Sequence, residues 1–193
     1  MKNLILLLVA GCVGLLLVVP GCKKKEAQKS AVSIALTREA PENTAAGVIW
    51  SYPSRWTKGA QRQMRVVTYV IPAAEGDAEP AECAVSYFGT AAGGAVDMNI
   101  ARWSGQFEGE PAPVRKDETV DGMNVAKVQL AGTYLAPAGP MMQATGKKEN
   151  FRLYGAIVDA PEGKLFFKLT GPAKTVEGAG AELDAMIGSI TKK

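Results

Sequence analysis

Apolar and polar positions alternate along several runs of the chain, and this period of two indicates β-strands. These runs are rich in β-branched and aromatic residues and are bounded by Pro, Gly and Asp, which commonly end strands. In the first half they are GVIWSYP (47–53), QMRVVTYVIP (63–72) and AECAVSYFG (81–89). A shorter run, VSIAL (32–36), predicts one short strand before them.

Two segments change to the period of an α-helix. Within GAVDMNIARWSGQF the apolar residues form one stripe, namely Val96, Ile100, Trp103 and Phe107. The C-terminal segment AKTVEGAGAELDAMIGSI has a second stripe, namely Val176, Leu183, Ile187 and Ile190. We therefore expect one helix in the middle of the chain and one near its end.

The second half of the chain predicts two β-hairpins separated by a loop. Asp121-Gly122 is a strong two-residue turn signal and joins VRKDETV to MNVAKVQLAGTYLA. Pro161-Glu162-Gly163 joins FRLYGAIVDA to KLFFKLTG, and the stretch 137–150 is expected to be a long loop. Runs of strands followed by a helix, without parallel βαβ alternation, predict an α+β fold with helices packed on an antiparallel sheet.

The N-terminal residues have the layout of a bacterial signal peptide. A short positive start precedes sixteen uncharged residues, Leu4 to Val19. This run is shorter than the ~20 residues of a transmembrane helix and suits the core of a secretory signal. It ends at VPGC (19–22), which resembles the lipobox except at Pro20; in a lipobox the cysteine is acylated and becomes the first mature residue. The sequence thus predicts lipidation of Cys22.

Two alternatives stay open for this segment. VAGC (9–12) matches the lipobox better, but cleavage before Cys12 would leave an apolar mature N-terminus and only about seven apolar residues of signal core. The other alternative is an uncleaved anchor helix with Cys22 at the membrane interface. In each case we expect the rest of the chain to lie outside the cytoplasm, in the cell envelope. A lysine after the acylated cysteine is typical of outer-membrane sorting, facing the periplasm, if the organism is Gram-negative.

The expected organisation is a signal peptide (1–21), a lipidated cysteine with a flexible tether (22–45) and one domain (46–193). The chain has 22 Lys and Arg against 19 Asp and Glu. Residues 1–30 hold five of these basic residues and one acidic residue, so the rest carries 17 against 18. A neutral domain of this kind has no electrostatic footprint for nucleic acid.

The candidates for chemistry are few. The sequence contains no histidine, and Cys83, within a strand pattern, is expected to be a buried small hydrophobe rather than a nucleophile. The carboxylate pairs, Asp117-Glu118 among them, are expected on solvated surface. Met141 and Met142 invite a thioether copper site, although methionines without His or Cys more often form an apolar contact patch.

Three aromatic residues early in the domain are the other candidates. Trp50 and Tyr52 fall on one face of a predicted strand, and Trp56 lies just beyond its end. Such residues usually close a core, but at an exposed edge they would anchor a partner. Together with Met141 and Met142, they are the predicted partner surface.

The order of elements resembles the PsbP-like superfamily, which includes PsbP and DcrB-type lipoproteins. The residues that carry the resemblance are SYPSRW (51–56), the Gly-turn hairpin and the helix ending IGSI (187–190). The resemblance covers about residues 45 to 191 and implies an α/β/α sandwich. Strings such as AVSYFG and RWSGQFEGE resemble a group of bacterial lipoproteins, which implies no activity. Metal roles in PsbP-type proteins depend on histidines, so no metal or cofactor site is carried over.

The sequence therefore predicts a lipid-anchored, non-catalytic interaction or assembly module of the cell envelope. Its expected partners are the membrane, through acylated Cys22, and an envelope protein. The alternative is a binding protein for a small ligand or metal ion, with the 137–150 loop at its site.

Overall fold

A computed structural model of the chain describes residues 34–37, 43–137 and 144–193. The chain divides into two units, Met1–Val32 and Ser33–Lys193, and every described residue belongs to the second. The predicted signal peptide, Cys22, Met141 and Met142 lie outside the described residues. In the described part, no helix is long and apolar enough to cross a membrane.

The two helices and the longer strands follow the order that the sequence predicts, and several two-residue strands add to them. The strands before the first helix are β1 (Leu36–Thr37), β2 (Thr44–Ala45), β3 (Val48–Ile49), β4 (Tyr52–Pro53), β5 (Thr57–Lys58), β6 (Val67–Ile71) and β7 (Ala81–Tyr87). Helix α1 (Val96–Ser104) follows. The later elements are β8 (Val114–Val120), β9 (Met123–Pro137), β10 (Ala144–Ala160), β11 (Gly163–Pro172), α2 (Ala173–Gly188) and β12 (Thr191–Lys192).

A seven-stranded antiparallel sheet, in the order β5-β6-β7-β11-β10-β9-β8, is the centre of the described structure. Successive side chains of a strand point to opposite faces. On β11, Phe167 packs in the hydrophobic cluster that includes α2, whereas its neighbour Phe166 packs in the cluster that includes α1. The two helices therefore cover opposite faces, which confirms the predicted α+β fold with helices packed on an antiparallel sheet.

Both helical stripes pack on the sheet as predicted, with Val96 only partly buried. In α1, Ile100 and Trp103 face the sheet, and Phe107 joins the same cluster just after the helix ends. Trp103 packs directly on Gly155 of β10, where a Cβ atom would lie 2.3 Å from the indole ring. This close approach explains a glycine in the middle of a buried strand.

Both predicted hairpins form, but the second turn is shorter than expected and part of the expected loop is a strand. Asp121 and Gly122 have φ of 47° and 72°, as a two-residue hairpin turn of type I′ requires. The second turn contains only Pro161 and Glu162, because Gly163 already pairs with Ala160. The expected loop 137–150 is wrong in its second part, since residues 144–150 extend β10 along the end of β9. The polar residues there suit a strand with a solvated face.

The stretch 47–53 is not one strand. Val48–Ile49 pairs with β2 and β12, whereas Tyr52–Pro53 pairs with β1. Between these two strands, the backbone N–H of Ser51 donates to Ser189 Oγ at 2.9 Å. Ser189 follows α2 directly, so this hydrogen bond takes the place of a strand pairing at Ser51.

The folded unit also begins earlier than residue 46. Asn43 is buried, and its Oδ1 accepts a hydrogen bond of 2.8 Å from the Tyr69 hydroxyl. Thr44–Ala45 pairs with β3, and Leu36–Thr37 pairs with β4. These contacts correct the expected end of the tether, because residues 43–45 supply core and sheet contacts.

Candidate functional site

The aromatic residues predicted as a partner surface lie in the core. Trp50, Tyr52 and Trp56 are 0%, 7% and 2% exposed. The Trp50 indole N–H donates to the Tyr69 hydroxyl at 3.1 Å, and the Trp56 N–H donates to Glu182 of α2 at 2.8 Å. The expectation of an exposed anchor is thus corrected, because these rings fill the space between the N-terminal strands, the sheet and α2.

The remaining sequence candidates offer no reactive group in the described part of the chain. Cys83 is fully buried on β7, and this burial raises the pKa of its thiol to about 12. It is therefore a small core residue, as predicted. Asp117 and Glu118 do not converge, since Asp117 binds Arg115 whereas Glu118 binds Lys127 at 2.6 Å.

The structure shows a different feature, a groove between α1 and the edge strand β8. It has two adjoining hollows, of about 420 Å³ and 390 Å³, and Arg115 lines both. We call it the α1 groove. Its apolar lining includes Val96, Ile100, Ala126 and Ile157, and its polar lining includes Asp97, Arg115, Asp117, Thr119, Asn124 and Asp159.

Arg115 is held in the α1 groove by two carboxylates. Its Nη1 lies 2.6 Å from Asp97 Oδ1 on α1, and its Nε lies 2.8 Å from Asp117 Oδ1 on β8. The hydrogen bond that Arg115 donates to Asp117, followed by the one that it donates to Asp97, raises the pKa of Arg115. Exposed pairs of this kind stabilise a fold little, so their main effect is to fix the orientation of the guanidinium.

Local sequence explains how the groove forms. Gly93 and Gly94, with φ of 107° and 66°, turn the chain into α1, and a Cβ at Gly93 would lie 3.3 Å from the Phe166 ring. At the other end, Ser104 Oγ donates to the Pro111 carbonyl at 2.6 Å and fixes the segment that leads to β8. α1 is thus held at both ends.

The groove can bind but shows no catalytic or metal-binding arrangement. Within the described residues, no three His, Cys, Asp or Glu side chains come together to hold a metal ion. Asp159 pairs with Lys164 at 3.0 Å, and Asp97 and Asp117 share Arg115. An apolar floor with oriented polar groups at its rim is the usual composition of ligand sites and of interface patches.

Sequence reasoning missed the α1 groove, since it treated VRKDETV only as an exposed strand. The charge pattern of that run gives a weak signal, because its arginine and aspartate alternate and therefore share one face of the strand. Nothing in the sequence indicates that this face lies beside α1.

Comparison with known proteins finds structures with a similar fold. No family model matches the chain, and no curated protein matches it in sequence. The solution structure of cyanobacterial PsbP (CyanoP) from Synechocystis sp. PCC 6803 is 14% identical, with a TM-score of 0.50, over 84% of this chain and 96% of that one. A protein of unknown function from Pseudomonas aeruginosa, PA94, is 12% identical, with a TM-score of 0.45, over 82% and 97% of the two chains. A structure from Bacteroides thetaiotaomicron VPI-5482 is 11% identical, with a TM-score of 0.41, over 78% and 47%.

At such identities a structural likeness shows the fold alone. The match to CyanoP covers 96% of that protein and 84% of this chain. The chain described here has a PsbP-like α+β fold.

Proposed function

We propose that this protein is a lipid-anchored, non-catalytic module of the cell envelope that binds an envelope protein through the α1 groove. The lipid anchor rests on the sequence, namely the apolar N-terminal run followed by VPGC (19–22). An acylated Cys22 with two or more chains would hold the protein firmly to a membrane. The binding role rests on the groove.

The observation that carries the binding role is the concave apolar floor of the groove beside the guanidinium of Arg115, which Asp97 and Asp117 hold in one orientation. Met98, next to Asp97 on α1, is 71% exposed. A concave apolar surface beside an oriented charged group is typical of protein contact surfaces. The non-catalytic part of the proposal is supported by the absence of histidine from the sequence and by the burial of Cys83.

Site-specific photo-crosslinking in cells that produce the full chain tests this function. One photoreactive amino acid is placed at Thr119, which lines the groove. The matched control carries it at Ala181, which is exposed on α2. We expect one envelope protein to crosslink repeatedly from Thr119 and not from Ala181. Arg115→Glu should reduce that crosslink several-fold, because it reverses the charge between Asp97 and Asp117.

Two results would contradict the proposal. The first is the absence of a recurrent protein at Thr119, and the second is the same set of proteins at both positions. The alternative, a small-ligand protein, is favoured if no protein recurs and native mass spectrometry of the purified chain shows a bound compound that Arg115→Glu removes.

A further inference from the structure

The strand β8 lies at the edge of the central sheet and has a free row of backbone hydrogen-bonding groups. In the described part of the chain it pairs with β9 alone, in a register without a bulge. The two-residue turn between these strands makes Val120 and Met123 a hydrogen-bonded pair. Such pairs alternate with non-hydrogen-bonded pairs along an antiparallel ladder. The backbone N–H and C=O groups that point away from β9 are therefore those of Arg115, Asp117 and Thr119.

This edge is open to a further strand of matching charge. The strand has seven residues, and the exposed ones are Val114, Arg115, Lys116, Asp117 and Thr119. An unpaired edge is a template for another strand, and charged side chains usually prevent that pairing. The charges of β8 therefore exclude most strands and admit one that presents opposite charges in the matching order.

A second copy of β8 meets this requirement. In an antiparallel pairing about a two-fold axis at Asp117, residues at equal distances from the axis face each other. Arg115 then faces Thr119 of the second copy, so the outward backbone groups of both strands pair along the whole row. Lys116 faces Glu118 of the second copy. A shift of the axis by one residue in either direction would instead place Lys116 or Glu118 against itself.

The side chains on one face of β8 are complementary in this register. Val114 is 69% exposed, and in the paired strands it would face Val120 of the second copy. Lys116 Nζ lies 3.7 Å from Glu118 Oε2 of its own chain, which is too far for a hydrogen bond. Glu118 of the second copy would lie directly opposite it. Facing apolar pairs and facing opposite charges both stabilise antiparallel strands.

The other face of β8 contains an unfavourable contact, because the two copies of Asp117 face each other across the axis. Each Asp117 is bound by Arg115 of its own chain at 2.8 Å. Arg115 of the second copy lies diagonally opposite, within reach of a long side chain. Two guanidinium groups would therefore balance the two carboxylates at the axis.

We propose that β8 is a self-association surface, through which two copies of this chain join their central sheets into one antiparallel sheet across a two-fold axis at Asp117. Self-complementary interfaces with two-fold symmetry are the commonest in homo-oligomers. The surface needs the free backbone edge of β8 and not the apolar floor of the α1 groove, although Arg115, Asp117 and Thr119 border both. A single pair of strands is a small interface, so we expect association that depends on protein concentration.

Disulfide trapping in cells that produce the full chain tests the register. Asp117→Cys places a thiol at the axis, where facing Cα atoms of a hydrogen-bonded pair are about 5.5 Å apart, a distance that a disulfide can span. Val114→Cys is the matched control, since this exposed position on the same strand would lie about 20 Å from its counterpart. Under a mild oxidant, we expect several-fold more disulfide-linked dimer from Asp117→Cys than from Val114→Cys. Cys83 is buried and does not compete.

Charge reversal tests the complementarity, by sedimentation equilibrium of the full-length chain in detergent. Lys116→Glu and Glu118→Lys should each weaken association several-fold, because like charges then face each other across the two strands. An equimolar mixture of the two variants should regain association, because each reversed charge then faces its opposite. Lys116 pairs across the ladder with Lys127 of its own chain, so Lys116→Glu adds no repulsion within one copy.

Three results would overturn the proposal. Asp117→Cys could give no more dimer than Val114→Cys, it could crosslink a different protein instead of a second copy, or the mixture of charge variants could associate as weakly as each variant alone. A photo-crosslink from Thr119 to a second copy is recognised by its mass. Self-association and the binding of another envelope protein therefore succeed or fail separately.

Discussion

The most informative single residues in this protein are those that do not match their surroundings. Lys168 interrupts the apolar strand KLFFKLTG, and Gly155 interrupts FRLYGAIVDA. The structure gives each a physical reason, since Lys168 donates to Gln106 and to the Tyr134 hydroxyl, and Gly155 admits the ring of Trp103. A residue that breaks the rule of its own element thus marks either a close approach of two elements or a polar site.

Lys168 should give the protein a pH-dependent stability. Its pKa is about 7 in the folded chain, against about 10.4 in an unfolded one. Between these values the unfolded chain binds more protons at this residue, so the free energy of unfolding rises with pH from 7 to 10. We expect Lys168→Met to be more stable than the wild type at pH 7 and to show a smaller rise between pH 7 and 9.

Urea unfolding at pH 7 and pH 9 measures this effect, with Lys164→Met as the control. An equal rise in the wild type and in Lys168→Met would mean that Lys168 titrates normally in the folded chain.

At the scale of elements, helix α2 uses small residues in two different ways. Gly178 faces solvent, and a Cβ atom there would meet nothing within 4 Å. A Cβ at Gly180 would lie 2.7 Å from the ring of Tyr154 on β10. Only the second glycine serves the close packing of helix on sheet.

The two glycines should therefore respond differently to the same substitution. Gly178→Ala is expected to stabilise the protein by about 1 kcal/mol, the usual difference in helix propensity. Gly180→Ala should bring no gain, because the added methyl group has to displace Tyr154. Thermal and urea unfolding of both variants measures the difference, and equal gains would contradict the assigned packing of Gly180.

At the scale of the whole molecule, the two faces of the sheet have different roles. The α2 face is closed by the aromatic residues of the N-terminal strands, including Trp50 and Trp56, and by α2 itself. The α1 face is only partly covered, since α1 has 9 residues against 16 in α2. The proposed binding site, the α1 groove, lies on this less covered face.

Attachment to the membrane is a property of the full chain and can be tested directly. Cys22→Ala should abolish incorporation of labelled palmitate and the shift in mass on processing, because the acylated thiol is removed. Cys12→Ala should leave both unchanged. The opposite pattern would assign the lipid to Cys12. If neither the wild type nor either variant incorporates labelled palmitate, an uncleaved anchor is favoured.

Much of the fold could be predicted because it depends on local patterns. Alternation indicated most of the strands, the helical stripes indicated α1 and α2, and Asp121-Gly122 fixed a hairpin. These signals are local because backbone sterics and side-chain direction act over a few residues. The extent of β10 could not be predicted, since residues 144–150 become a strand only through pairing with β9.

What the sequence determined by itself is the α+β class, the order of the elements, the buried nature of Cys83 and the expectation of a lipid anchor. What only the tertiary structure decided is which side chains meet. Arg115 reaches Asp97 across 18 residues, and Lys168 donates to Gln106 and Tyr134, which are 62 and 34 residues away in the chain. A site assembled from distant parts of the chain has no local pattern, because its geometry arises only when the sheet and its helices pack.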